Sequence, residues 1–162
     1  MVECLTPHDP GPRYILRGPA GGTMLGGLVL PASPCRAAAQ GTRAALWLGP
    51  DEWLLLGFDT PTTDFALVDV GHRQLGFRLS GAPAETLLAA GVPLDLAEAA
   101  FPVGMCTRTL FEKAEIVLWR RGAQEWQIEI ARSFAPYLCK LLGVIATANG
   151  IGPARGDQGS PV

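Results

Sequence analysis

The chain reads as an α+β domain, a mostly antiparallel sheet with helices packed on one face. Three observations predict it. Apolar runs come in pairs joined by turn residues, above all Ala44–Gly57, where Leu- and Trp-bearing segments flank Gly49-Pro50-Asp51-Glu52. Later runs alternate apolar and polar residues, the period of a half-buried strand. Two further segments carry apolar residues at helical spacing behind a proline in the first turn.

The elements follow in order. Met1–Pro12 is rich in turn formers and is expected to be a loose arm; residues 13–150 form the single domain, and 151–162 are expected to be a disordered tail. Tyr14–Gly18 reads as a short strand, and Pro19–Thr23 as a Gly-rich turn. Met24–Leu30 is apolar but broken by Gly26 and Gly27, which leaves helix and strand both weakly supported. Pro31–Gly41 is expected to be a loop, with Ala37-Ala38-Ala39 as a helical turn. The Ala44–Gly57 hairpin has apolar residues on both faces, so it belongs in the middle of a sheet with cover on both sides. Phe58–Asp64 is a polar connection, and Phe65–Val70 an apolar strand. Leu75, Phe77 and Leu79 alternate with Gly76, Arg78 and Ser80, and the short Gly71-His72-Arg73 link predicts that these two strands are neighbours.

Ser80 is expected to open a helix with Pro83 and Glu85 in its first turn and Gly91 as its stop. Val92–Ala100 allows a short helix, and Phe101–Gly104 is a turn. Thr107–Phe111 is a candidate strand. Ala114, Ile116 and Leu118 alternate on the next strand, and Trp126, Ile128 and Ile130 on its partner across Arg121–Gln124. Ser133 is expected to cap the last helix, whose apolar positions run from Phe134 to Ile145 before Asn149-Gly150.

Composition narrows the function. Of the 162 residues, 48% are hydrophobic and only 17% charged. Either compositional bias or a surface covered by partners accounts for so little charge. The net charge of −2, without a basic cluster, disfavours nucleic-acid binding. Cys4, Cys35, Cys106 and Cys139 show no C-x-x-C spacing, and His8 and His72 are the only histidines, so neither a zinc site nor a dithiol motif is predicted. No signal peptide or membrane span is predicted, and the expected location is the cytoplasm.

Candidate reactive groups are few. Asp69, His72 and Arg73 gather at a strand end, where His72 is a candidate general base without an accompanying nucleophile. Cys106 beside Arg108 is a candidate nucleophile, weighed against an ordinary buried thiol. Cys139 falls inside the last helix. Trp47, Trp53, Trp119 and Trp126 read first as core, with Trp47 and Trp119 the better interface candidates. The glycines of Gly18–Gly27 lack the order of a phosphate-binding loop.

Four stretches, in order, resemble the sarcosine oxidase gamma subunit family. They are Leu46-Trp47-Leu48-Gly49-Pro50-Asp51-Glu52-Trp53-Leu54-Leu55; Val68-Asp69-Val70-Gly71-His72-Arg73; Leu94-Asp95-Leu96 with Phe101-Pro102-Val103-Gly104 and Thr107-Arg108-Thr109; and Arg132-Ser133-Phe134-Ala135-Pro136-Tyr137-Leu138. Leu16-Arg17-Gly18 and Leu30-Pro31 also fit, so the likeness spans about Tyr14 to Leu142. It departs at Gly71, where the family carries serine, and in the short links Pro19–Gly26 and Phe58–Asp64, where helices are expected.

The resemblance implies a fold related to the folate-binding domain of aminomethyltransferase. It also implies a non-catalytic subunit bound to a large alpha subunit, with beta and delta subunits, in a complex that oxidises sarcosine to glycine. FAD, FMN, NAD, zinc and tetrahydrofolate would all lie on other subunits, and the one-carbon unit would pass to the folate. The rival reading is a stand-alone module for tetrahydrofolate or a similar pterin, with Arg73, Arg108 or Arg132 receiving the folate carboxylates. An enzyme built on Cys106 and His72 is the third.

Overall fold

A computed structural model describes residues 5–151. It contains the strands β1 (Leu5–His8), β2 (Arg13–Arg17), β3 (Met24–Leu25), β4 (Leu28–Val29), β5 (Ala37–Gln40), β6 (Arg43–Gly49), β7 (Glu52–Leu56), β8 (Ala66–Asp69) and β9 (Gln74–Ser80). Helix α1 (Pro83–Ala89), strands β10 (Cys106–Phe111), β11 (Ala114–Gly122) and β12 (Glu125–Ala131), and helix α2 (Ala135–Ala148) follow. The strands form two five-stranded sheets, one ordered β1-β9-β12-β11-β10 and the other β5-β6-β7-β2-β8, with β3-β4 as a separate ribbon. Every strand pair is antiparallel.

The central hairpin is where its apolar faces require. β7 lies in the middle of the second sheet, and all five of its residues are buried. Trp53 and Leu55 look outward onto Leu25, Leu28, Leu30 and Phe58, which the β3–β4 ribbon and its flanks bring over the sheet. Gly26 and Gly27 turn that ribbon with φ of 54° and 85°, both in the left-handed region a two-residue primed turn demands. Leu54 and Leu56 look inward with Ala44, Leu46 and Val70 onto Cys106, Val117 and Trp119 of the first sheet. The far face of the first sheet packs Phe77, Leu79, Ile116, Leu118, Trp126 and Ile128 against α1 and α2. The layers are therefore helices, sheet, sheet and ribbon.

Several expectations change. Residues 5–8 are not a loose arm but an edge strand paired with β9, and Leu5 is buried. Ala37-Ala38-Ala39 is strand, because β6 offers its free edge there. The Phe65–Val70 and Leu75–Ser80 segments are not neighbours: the 3-10 turn Gly71–Arg73 carries the chain from one sheet to the other. Val92–Ala100 holds no helix. The buried Arg120 claims carbonyls of this region, donating through Nη1 to Leu96 O (3.0 Å) and Phe101 O (2.9 Å). Neither Ser80 nor Ser133 caps a helix; both helices start with a proline near the N-terminus and no side-chain cap. Ile151 packs on the helix-side core, while the rest of the expected tail, 152–162, lies outside the described residues.

Candidate functional site

Two features meet between the sheets, at opposite ends of β7. Near Glu52, the sheets part into a groove of about 330 Å³. Its floor is Ile15, Leu54, Val70 and Val117, and its rim includes Arg17, Arg73 and Arg108. The structure thus brings Arg73 and Arg108 to one groove. Arg108, however, is engaged: its Nη2 donates to Glu52 Oε1 at 2.9 Å, and its Nε lies 3.7 Å from Glu115. Burial opposes ionisation of Glu52, but the guanidinium groups of Arg108 and Arg17 outweigh it and hold the carboxyl below its usual range. Arg132 does not line this groove; its Nε donates to the carbonyl of His72 at 3.2 Å.

The candidate catalytic groups do not converge. His72 is exposed on the 3-10 turn. Asp69 Oδ1 accepts the backbone N–H of Gly71 at 2.8 Å, the side-chain turn that ends β8. Cys106 is fully buried between the sheets, where burial pushes its thiol up to about 12 and its Sγ–H faces Trp47 O at 3.7 Å. A thiol so placed is not the thiolate that nucleophilic attack needs. Cys139 is half-buried on α2. Trp53 and Trp126 are core, as predicted. Trp119 is buried too, as its first reading had it and against its candidacy as an interface residue, because the face it occupies meets the second sheet. Trp47 is half-buried against the ribbon side. Among the described residues no cluster of three His, Cys, Asp or Glu could hold a metal, and no helix is long and apolar enough to cross a membrane.

The second feature has no counterpart in the sequence reading. Arg13 reaches from β2 across to the first sheet, and its Nε donates to Glu129 Oε2 at 2.7 Å. Gln127 Nε2 donates to the other oxygen of Glu129 at 2.8 Å, and Arg121 Nη1 donates to Gln127 Oε1 at 2.9 Å. Burial raises the Glu129 carboxyl above its ordinary range, and Arg13 only partly offsets this. Gly76, opposite Glu129 on β9, makes the room: a Cβ there would lie 2.5 Å from His8 O and 2.7 Å from Glu129 Oε1. The signal was present as Gly76, Gln127 and Glu129 on the polar side of alternating strands, which a lone sheet would turn to water.

The family model for the sarcosine oxidase, gamma subunit family matches residues 60–148. The sarcosine oxidase subunit gamma of Corynebacterium sp. (strain U-96) is 33% identical over 124 residues, covering 68% of this chain and 60% of that protein. Its counterpart from Corynebacterium sp. (strain P-1) is 32% identical over 111 residues, covering 62% and 54%. That of Arthrobacter sp is 33% identical over 102 residues, covering 56% and 50%. The matched region thus spans between 50% and 60% of the length of these relatives. Among solved structures, a chain of the heterotetrameric sarcosine oxidase from Corynebacterium sp. U-96, in complex with pyrrole 2-carboxylate, superposes with a TM-score of 0.77. That match has 26% identity and covers 94% of this chain and 86% of the other.

Proposed function

The chain belongs to the sarcosine oxidase gamma subunit family, and from that premise we propose that it is a non-catalytic subunit of a heterotetrameric sarcosine oxidase, docked on the large alpha subunit. One observation carries the reading. The candidate groups do not come together into a reactive site: Cys106 is sealed between the sheets, Arg108 is paired with Glu52 at the surface, Arg132 is bound to the His72 carbonyl, and the His72 ring stands exposed on its turn. In this reading the flavins, the nicotinamide cofactor, zinc and tetrahydrofolate lie on other subunits, as does the transfer of the one-carbon unit. What the chain offers is surface. Met24, Val29, Phe65 and Val68 are all large apolar residues left exposed. Surface of this kind suits a permanent interface of roughly 2,000 Å² or more.

Coexpression with the cognate alpha subunit tests the proposal. A complex of both chains is expected, in which gamma-chain solubility rises and assembly survives high salt, since apolar contact is not screened. A monodisperse gamma chain that ignores the alpha subunit would overturn it.

A further inference from the structure

At the end of β7 remote from Glu52, a second cavity of about 180 Å³ opens between the sheets. Its apolar wall is Ala39, Ala44 and Leu56, from the second sheet. Its polar wall is Arg78, Trp119, Arg121 and Gln127, from the first. Arg78 and Arg121 line it against one lining carboxylate, Asp9, while Arg43, also on its edge, donates to the Gly26 carbonyl and lies over the Phe58 ring. Asp9 is turned to Arg13, 3.2 Å away. Arg78 and Arg121 both lean on Glu125, at 3.1 and 3.8 Å, so two cations share one partly exposed carboxylate.

Cation is therefore in excess, and the neighbours respond. Burial first, then Arg78 and Arg121, hold the His8 ring below its usual range. Burial and Arg78 do the same to Arg121. Two donors are also left over. Trp119 is 5% exposed, and its Nε1–H is buried without a hydrogen-bond partner, as is Nε of Arg78. An unpaired buried donor is costly, so such groups are usually satisfied. The Arg121 guanidinium stacks 4.6 Å over the Trp119 ring, which fixes both. Gln127, 1% exposed, ties Arg121 to the buried Glu129.

We propose that this cavity binds a carboxylate, its oxygens on Arg78, Arg121 and the Trp119 indole N–H and its carbon body against Ala39, Ala44 and Leu56. One wall of donors and one of hydrocarbon suit a carboxylate on a small apolar stem, whereas a phosphate would need donors around it. The group comes either from a free small carboxylate or from an acidic side chain of another subunit. Only the second source rests on the subunit reading.

The test starts on the full isolated chain and needs no complex. Indole N–H resonances of the isotope-labelled protein are followed during titration with acetate and then succinate, against chloride at constant ionic strength. One indole signal, missing from Trp119→Phe, is expected to shift saturably with carboxylate and not with chloride. Arg121→Gln is expected to weaken that response about tenfold or more, since a charge-assisted contact is lost. Arg78→Gln, at a separate position, is expected to weaken it likewise, which keeps the test decisive if Arg121→Gln folds poorly. A Trp119 signal that stays still, or drifts linearly with every salt, overturns the proposal for a free ligand. The assembled complex then distinguishes the source. If Arg121→Gln weakens assembly and acetate no longer moves Trp119, a partner's side chain fills the cavity; if assembly is unchanged and acetate still binds, the ligand is free. Failure of both arms removes the site altogether.

Discussion

Replacing Arg13 by methionine should expose what the cross-sheet ion pair contributes. The Arg13 side chain is 6% exposed and that of Glu129 1%, so water cannot replace the lost partner. Breaking such a pair from one side costs about 3–5 kcal/mol. Gln127 still donates to Glu129, which places the loss near the lower end, about 3 kcal/mol. Glu129→Gln should cost less, because Arg13 keeps Asp9 and the carbonyl of Gly11 at 3.2 and 3.3 Å. The loss should also depend on pH. Burial already raises the Glu129 carboxyl, and Arg13 supplies the next two influences that lower it. Without Arg13 the folded-state value climbs further above the unfolded one. A raised value of this sign leaves stability intact below the unfolded pKa and removes it as pH rises through the folded one. The deficit of Arg13→Met relative to the parent should therefore shrink on going from about pH 7.5 to about pH 5. Urea unfolding at both pH values measures it. A loss under about 1 kcal/mol, or one unaffected by pH, would refute the reading of a buried, pair-dependent carboxylate.

Gly76→Ala should destabilise by about 1–3 kcal/mol, because its Cβ meets the His8 carbonyl and the Glu129 carboxylate; a melting temperature equal to the parent's would show that β1 yields freely. Native Cys106 should resist a thiol reagent that modifies the half-buried Cys35 and Cys139, and should react only on unfolding; rapid modification of Cys106 in the native protein would restore it as a candidate nucleophile.

Much of the layering was legible. The Ala44–Gly57 hairpin, apolar on both faces, pointed to a covered mid-sheet position, and β7 occupies it. Period-2 alternation located β9, β11 and β12, and helical spacing located α1 and α2. What alternation could not say is what covers the polar face. Arg78, Gln127 and Glu129 look like a solvent-facing row, yet Gln127 and Glu129 are buried because a second sheet lies against them. Sheet membership was likewise hidden. The link Gly71-His72-Arg73 is short enough for a hairpin, and only the need of both sheets for a partner face reveals it as a crossover. Arg13 and Glu129 stand 116 positions apart, a pairing no local pattern encodes. The arginines offered for a folate's carboxylates were visible, but not the carboxylate and carbonyl that occupy two of them.

The central claim, that the chain supports an oxidase without taking part in its chemistry, is tested most directly by sarcosine-dependent oxygen uptake of the assembled complex carrying His72→Ala in this chain. His72 is exposed, so its loss should leave the fold and the subunit composition unchanged. Turnover within a few-fold of the parent is predicted. A fall of about 10²–10⁴, the cost of removing a general base, in a complex of unaltered composition would contradict it.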